Sequence, residues 1–274
     1  MTTARSDGHE RVQHGPVATR DITGARQALL SRLIDHAVLF PPASLPMDAA
    51  LEVDRAARAT PHAWMLNRFL VPASRLVELP AGFDPPLGVI VDVDALPPLS
   101  DQVDIVEARL ERAAVTDGAG VRVFLEVWPG DEAKLDAVAE RGTGAKVRCG
   151  GPTPDMFPSP AELADFICGC RDRGLAFKAT AGLHHPIRDG IAHGFLNLLA
   201  ASVLAYAGAA SRDLVDVLLE EDARAFEVSD EAFTVRGQAF GADAVSAARE
   251  RLFVGYGSCS FSEPVEDLRG LRIL

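Results

Sequence analysis

The chain has 274 residues, 48% of them apolar, and a formal net charge of −12. That length accommodates one large α/β domain or two small ones, and the apolar share is ample for a substantial core. The acidic balance disfavours nucleic acid, whose phosphates call for clustered Lys and Arg, and no apolar run approaches the length of a membrane span.

Residues 1–20 are polar and lack an apolar signal core, so they read as a disordered tail before a domain over 21–274. Thr23 caps an expected helix over 25–36, whose Leu29, Leu30, Leu33 and Ile34 share a face. A short run at 37–40 follows, stopped by Pro41-Pro42, then a helix over 47–59 and a strand at 64–71. A short helix near 74–79 precedes a strand at 87–93, and a helix expected over 101–114 feeds a strand at 121–127. The helix over 131–141 leads to the strand at 146–150. Ser159-Pro160 then opens a helix with proline at its first position and Glu162 in its first turn. That helix stops at Arg173-Gly174 and delivers the chain to a strand at 177–181. Helices over 191–207 and 211–221 lead to 226–235, which reads as a strand or as a hairpin with a Ser-Asp turn. A helix over 242–251, a strand at 252–258 and a helix near Ser262 complete the chain.

These segments make eight strand candidates, nearly all separated by helices, at about 25–30 residue intervals as βα repeats require. The expected fold is therefore a single-domain α/β protein, a (β/α)8 TIM-like barrel, with an irregular connection between its sixth and seventh strands. An open doubly wound sheet is the rival, but no GxGxxG follows the first strand. The four cysteines, at 149, 168, 170 and 259, match neither a disulfide framework nor a zinc site. A reduced, cytoplasmic setting is the expectation.

Barrels gather reactive groups at the carboxyl ends of their strands. Side chains alternate along a strand, so Lys178 and Thr180 share one face of 177–181, opposite Phe177 and Ala179. Large Phe177 suits the helix side, which turns Lys178 inward. The same parity turns Lys146 and Arg148 inward. Glu126 shares its face with Phe124, and Asp92 stands with Asp94. Asn67 or Arg68 comes from the second strand, Ser258 or Ser260 from the last, and His184 and His185 follow the Lys178 strand.

Lys178 has three readings: a Schiff-base nucleophile with a pKa depressed by burial and by Lys146 and Arg148, an anion clamp, or a structural cation paired with a carboxylate such as Glu126. Glu126, Asp92 or His184 would move protons. Arg148, Asp92, Asn67, Arg68, His185, Ser258 and Ser260 are the candidate substrate contacts. The Gly255-Tyr256-Gly257-Ser258-Cys259-Ser260 loop offers backbone N–H groups to an anion, although Glu263, Glu266 and Asp267 beside it oppose a dianion. Cys259 has no base near it in sequence and reads as packing.

A lysine on the sixth strand of a barrel resembles the class I aldolases. Lys146-Val-Arg-Cys-Gly-Gly, Phe177-Lys178-Ala-Thr-Ala-Gly and Gly255-Tyr-Gly-Ser258-Cys-Ser260 are similar, locally, to the deoxyribose-phosphate aldolases. That likeness implies an imine on Lys146 with Lys178 as its cationic neighbour, whereas the strand count implies Lys178. The His184-His185-Pro186 step has no counterpart there. With the steps at 184–188, 193–197 and 257–261, the chain as a whole more closely resembles a bacterial (β/α)8-barrel family.

The expected function is a lyase or aldolase-like enzyme acting on a small anionic carbonyl compound, with no cofactor and with a homo-oligomer left open. One alternative is a metal-assisted isomerase or hydrolase holding a divalent metal on Asp92, Glu126 and one histidine. Another is a non-catalytic barrel whose charges are paired and whose role is assembly or ligand sensing.

Overall fold

The structure is a computed structural model that describes residues 23–274; the tail expected at 1–20 lies outside the described residues. The strands in chain order are β1 (Ile34–His36), β2 (Leu66–Pro72), β3 (Leu87–Ile90), β4 (Val103–Arg109), β5 (Arg122–Glu126), β6 (Gly144–Arg148) and β7 (Phe177–Thr180). Then come β8 (Phe226–Val228), β9 (Phe233–Val235), β10 (Gln238–Phe240) and β11 (Phe253–Ser258). The α-helices are α1 (Ala25–Leu30), α2 (Met47–Arg58), α3 (Glu132–Glu140), α4 (Pro160–Asp172), α5 (Phe195–Tyr206), α6 (Ser211–Leu218), α7 (Ala242–Arg251) and α8 (Ser262–Gly270).

Eight parallel strands close in the order β1-β11-β7-β6-β5-β4-β3-β2, which is the (β/α)8 barrel read from the sequence. Two members of that barrel were expected to be helical. The helix at α1 ends at Leu30, because Arg32 takes a left-handed conformation (φ 49°) and Ile34–His36 pairs between β11 and β2. The second is β4, where Ile105, Val106 and Glu107 find ladder partners on both sides. Only 110–116 turns helical there, as a 3-10 segment. Ser100-Asp101 resembles a helix cap and Glu107-Ala-Arg-Leu-Glu-Arg favours helix, but double-sided pairing outweighs that weak local preference.

The stretch 226–235 leaves the barrel. Its halves, β8 and β9, pair antiparallel and β10 extends them into a small sheet. Eight expected strands and eight observed ones therefore differ in membership. Lys146 stands on the sixth barrel strand and Lys178 on the seventh. The decorated connection runs from the seventh strand to the eighth. Its hairpin turn also completes α1, which lacks a side-chain cap: Ala25 and Arg26 donate their backbone N–H groups to Asp230 and Ser229 carbonyls, at 2.8 and 3.0 Å.

The apolar core lies between the strands and the helices. Phe166 of α4 meets Phe177 edge-on, Phe177 stacks on Phe253, and Phe195 of α5 stacks on Tyr256. The α4 helix starts on a full capping box, in which Glu162 N–H donates to Ser159 Oγ and Ser159 N–H to Glu162 Oε2. Inside the barrel, glycines receive larger neighbours: a Cβ on Gly88 would meet Leu70 at 2.5 Å, and one on Gly144 would meet the Phe124 ring at 2.5 Å. Above that apolar floor the inner rows carry charge.

Candidate active site

With the outer face of each strand committed to aromatic and aliphatic packing, alternation sends the intervening residues to the axis. Asp35 arrives from β1, Arg68 from β2, Glu107 from β4, Glu126 from β5, Lys146 and Arg148 from β6, and Lys178 from β7. Parallel register sets Glu107 beside Phe124, Glu126 beside Lys146, and Lys146 beside Lys178.

Seven side chains alternate in sign along a ladder from Arg68 to Arg148. Arg68 Nη1 lies 3.4 Å from Asp35 Oδ1, and Asp35 Oδ2 contacts Lys178 Nζ directly. Lys178 Nζ is 2.8 Å from Glu107 Oε1, and Glu107 Oε2 is 2.8 Å from Lys146 Nζ. Lys146 Nζ lies 3.1 Å from Glu126 Oε2, while Glu126 Oε1 is 3.7 Å from Arg148 Nε. At the other end Arg68 Nε reaches Asp104 Oδ2 at 3.2 Å. Side-chain exposure rises from 1% at Lys178 to 8% at Lys146, 20% at Glu126 and 31% at Arg148. The ladder thus opens to solvent at the carboxyl-end mouth, through β5 and β6.

Such pairing is what buried ions require, since an unpaired charge in low dielectric costs several kcal/mol. Burial pushes the Glu107 carboxyl up, but the two flanking ammonium groups overcome it and hold it down to about 2. Glu126 is also lowered: burial acts against it and Lys146 and Arg148 prevail. For Lys146, burial lowers the pKa but Glu107 and Glu126 together raise it. The cations expected to stand next to Lys178 are separated from it by carboxylates. The two lysines share a carboxylate between them, and Lys146 rests as an ammonium.

The remaining sequence candidates disperse. Asn67 accepts from Arg32 Nε at 2.9 Å, and Arg68 sits at the Asp35 end of the ladder. Asp92, in the loop after β3, accepts from the Ser74 backbone N–H and hydroxyl, which anchors the 3-10 turn 73–78. His184 lies 3.5 Å from Glu263 and His185 2.7 Å from Asp267, so both histidines tie the loop after β7 to α8. Ser258 Oγ donates to the Ser260 carbonyl, and Ser260 Oγ accepts from Glu263 N–H at the start of α8. Arg68, Glu126, Lys146, Arg148 and Lys178 come together in the ladder; His184, His185, Asp92, Asn67, Ser258 and Ser260 are held by other partners. Among the described residues no group of three or more His, Cys, Asp or Glu is arranged to hold a metal ion.

Sequence reasoning missed Asp35, Glu107 and Arg109, all inside segments read as helix. A usable signal was present in Val103-Asp-Ile-Val, where three of four residues are β-branched and favour a strand. It also missed a second buried polar set on the outer side of β1. His36 Nδ1 lies 2.8 Å from Asp54 Oδ1, and Arg58 Nε donates to Asp54 Oδ2 at 2.7 Å. Burial raises the Asp54 pKa, yet His36 and Arg58 lower it further. This set bolts α2 to β1.

Two cavities lie away from the ladder. One of about 410 Å³ separates α2 from the loop 80–85, and one of about 530 Å³ opens at the amino-end face beside Arg122, Arg171 and Arg251. Helices α3, α4, α5 and α7 all end around the second, so their negative dipole ends oppose an anion there. The mouth has the opposite polarity, since helices of a parallel barrel begin at the carboxyl ends of the strands. The cysteines carry no disulfide, and burial pushes the Cys149 thiol up to about 12, in keeping with packing. No helix among the described residues is long and apolar enough to cross a membrane. Neither a scan against models of known protein families nor a search of the curated proteins finds a match to the chain.

Proposed function

We propose that the chain is a lyase of aldolase type that forms an imine between Lys146 and a short anionic carbonyl compound at the carboxyl-end mouth. The observation that carries this reading is the solvent-reachable end of the ladder, where an amine, a carboxylate 3.1 Å away and a guanidinium stand together. Lys178, 1% exposed and gripped by two carboxylates, is the poorer nucleophile. The corrected strand count supports the same residue. A sixth-strand lysine is what the class I aldolase resemblance implies, and the first lysine of the pair is what its deoxyribose-phosphate branch implies. Both now fall on Lys146.

Glu126 accepts a proton from the Lys146 ammonium, and the freed amine pair attacks the carbonyl carbon. The C–N bond forms as the C=O π pair moves to oxygen, and transfer of an N–H proton to that oxygen gives the carbinolamine. The protonated Glu126 returns its proton to the departing hydroxyl, which leaves as water and yields the imine. With a β-hydroxy carbonyl substrate, the protonated imine accepts the electron pair of the Cα–Cβ bond while Glu126, ionised again, takes the β-hydroxyl proton. The bond breaks into an aldehyde and an enamine, and protonation of the enamine at Cα followed by addition of water frees Lys146. Glu107 stays ionised throughout and holds both nitrogens in place.

Treatment with a panel of aldehydes and 2-oxo acids, reduction with borohydride and peptide mapping by mass spectrometry tests the mechanism. The expected adduct is on Lys146. No adduct on Lys146 or Lys178 across the panel would remove the imine reading. The complete pairing of the ladder favours a second reading, in which the charges only hold the barrel together. On that reading Lys146→Met lowers stability and leaves ligand binding at the mouth unchanged.

A further inference from the structure

Arg109 closes β4 one step above Glu107. In parallel register its Cα pairs with that of Glu126, and Glu126 pairs in turn with Lys146. Alternation from Ile105 through Glu107 keeps Arg109 on the inner row. It is exposed, and among the described residues no carboxylate pairs with it. In the ladder Asp35, Glu107 and Glu126 are matched by Lys178, Lys146 and Arg148, which leaves Arg109 as an unmatched positive charge at the mouth.

Arg148 stands on the far side of Glu126, one strand over, with only a 3.7 Å contact to that carboxylate. When Glu126 takes the Lys146 proton, Arg148 loses its nearest counter-charge, so two guanidiniums then flank the reacting amine. We infer that Arg109 and Arg148 form a two-armed clamp for a carbonyl substrate carrying two negative charges, as a dicarboxylate or a phosphate ester. Guanidinium forks suit both oxyanions. In the full reaction the clamp rests on the imine proposal, because the anionic groups must hold the carbonyl carbon over Lys146.

Unreactive anions separate the two claims. Succinate, glycerol 3-phosphate and butyrate would be titrated at matched ionic strength. Calorimetry and the fluorescence of Trp128, exposed two residues beyond Glu126, supply the readouts. Succinate or glycerol 3-phosphate is expected to bind at least tenfold tighter than butyrate, and which of them is tighter identifies the dicarboxylate or the phosphate. That preference should disappear in Arg109→Gln, and in Arg148→Gln as an independent variant, with the circular dichroism spectrum unchanged. Equal binding of all three anions, or an undiminished preference in a folded Arg109→Gln or Arg148→Gln, would overturn the clamp. A preference without any borohydride adduct would keep the clamp and discard the imine; an adduct without a preference would do the reverse.

Discussion

Glu107 is the residue on which the interior turns, because each of its oxygens takes a different ammonium at 2.8 Å. Replacing it by Gln preserves shape and removes the charge that both lysines share. Breaking one partner of a buried pair typically costs about 3–5 kcal/mol, and Glu107→Gln should destabilise by an amount in that range, read from denaturant midpoints. It should also release Lys146, whose raised pKa depends on Glu107 and Glu126. If Lys146 forms the imine, the pH at which borohydride trapping reaches half its maximum should fall in Glu107→Gln. An unmoved trapping profile would show that Glu107 does not set the protonation of the reacting amine.

Among the elements, the loops after β6 and β7 cross tightly above the ladder. Gly182 has φ of 73°, and a Cβ there would lie 2.8 Å from both the Cys149 carbonyl oxygen and the Gly150 Cα. Gly142 has a similar φ of 67° but faces open space. Gly142→Ala should therefore cost only the left-handed backbone penalty of about 1 kcal/mol, whereas Gly182→Ala adds a backbone clash worth about 1–3 kcal/mol more. Equal losses in the two variants would show that the crossing relaxes freely.

The elements also show where the sequence was legible. Punctuation such as Ser159-Pro160 and Arg173-Gly174, and apolar alternation such as Phe177-Lys178-Ala179, identified α4 and β7 and the inward face of Lys178. For β1 and β4 the local signal opposed the outcome. Leu29, Leu30, Leu33 and Ile34 keep a helical spacing past the real helix end, and Glu107 to Ala114 is built of good helix formers. Since those segments supply Asp35, Glu107 and Arg109, the paired cations of the site were visible, whereas Arg109 and most of the counter-charges were not. Pairing partners come from tertiary closure, which leaves no periodic trace in a single strand.

For the whole molecule, the ladder makes stability depend on pH at both extremes. The folded-state pKa of Glu107 is depressed from 4.5 to about 2, so its contribution is present above pH 4.5 and is lost as pH falls toward 2. Two and a half units correspond to roughly 3 kcal/mol. Glu126 and Asp54, also depressed, act in the same direction. Lys146 is raised above 10.5, so its contribution is present below that value and fades as pH climbs through the raised pKa. Denaturant midpoints should form a plateau across neutral pH, falling below about pH 4.5 and again above about pH 10.5. The acid limb should flatten in Glu107→Gln, and an acid limb of undiminished depth in that variant would place the titrating groups elsewhere.

The alternating ladder has a last consequence, for how the chain finds its closure. A strand that slips by two residues keeps every inward side chain inward, so apolar patterning cannot detect the mistake. In β4 such a slip would exchange Glu107 for Ile105 or Arg109 and leave two ammonium groups facing an alkyl chain or a third cation. Sign matching across β1, β4, β5, β6 and β7 thus works as a combination lock, in which only one staggering of the strands lets the cylinder shut.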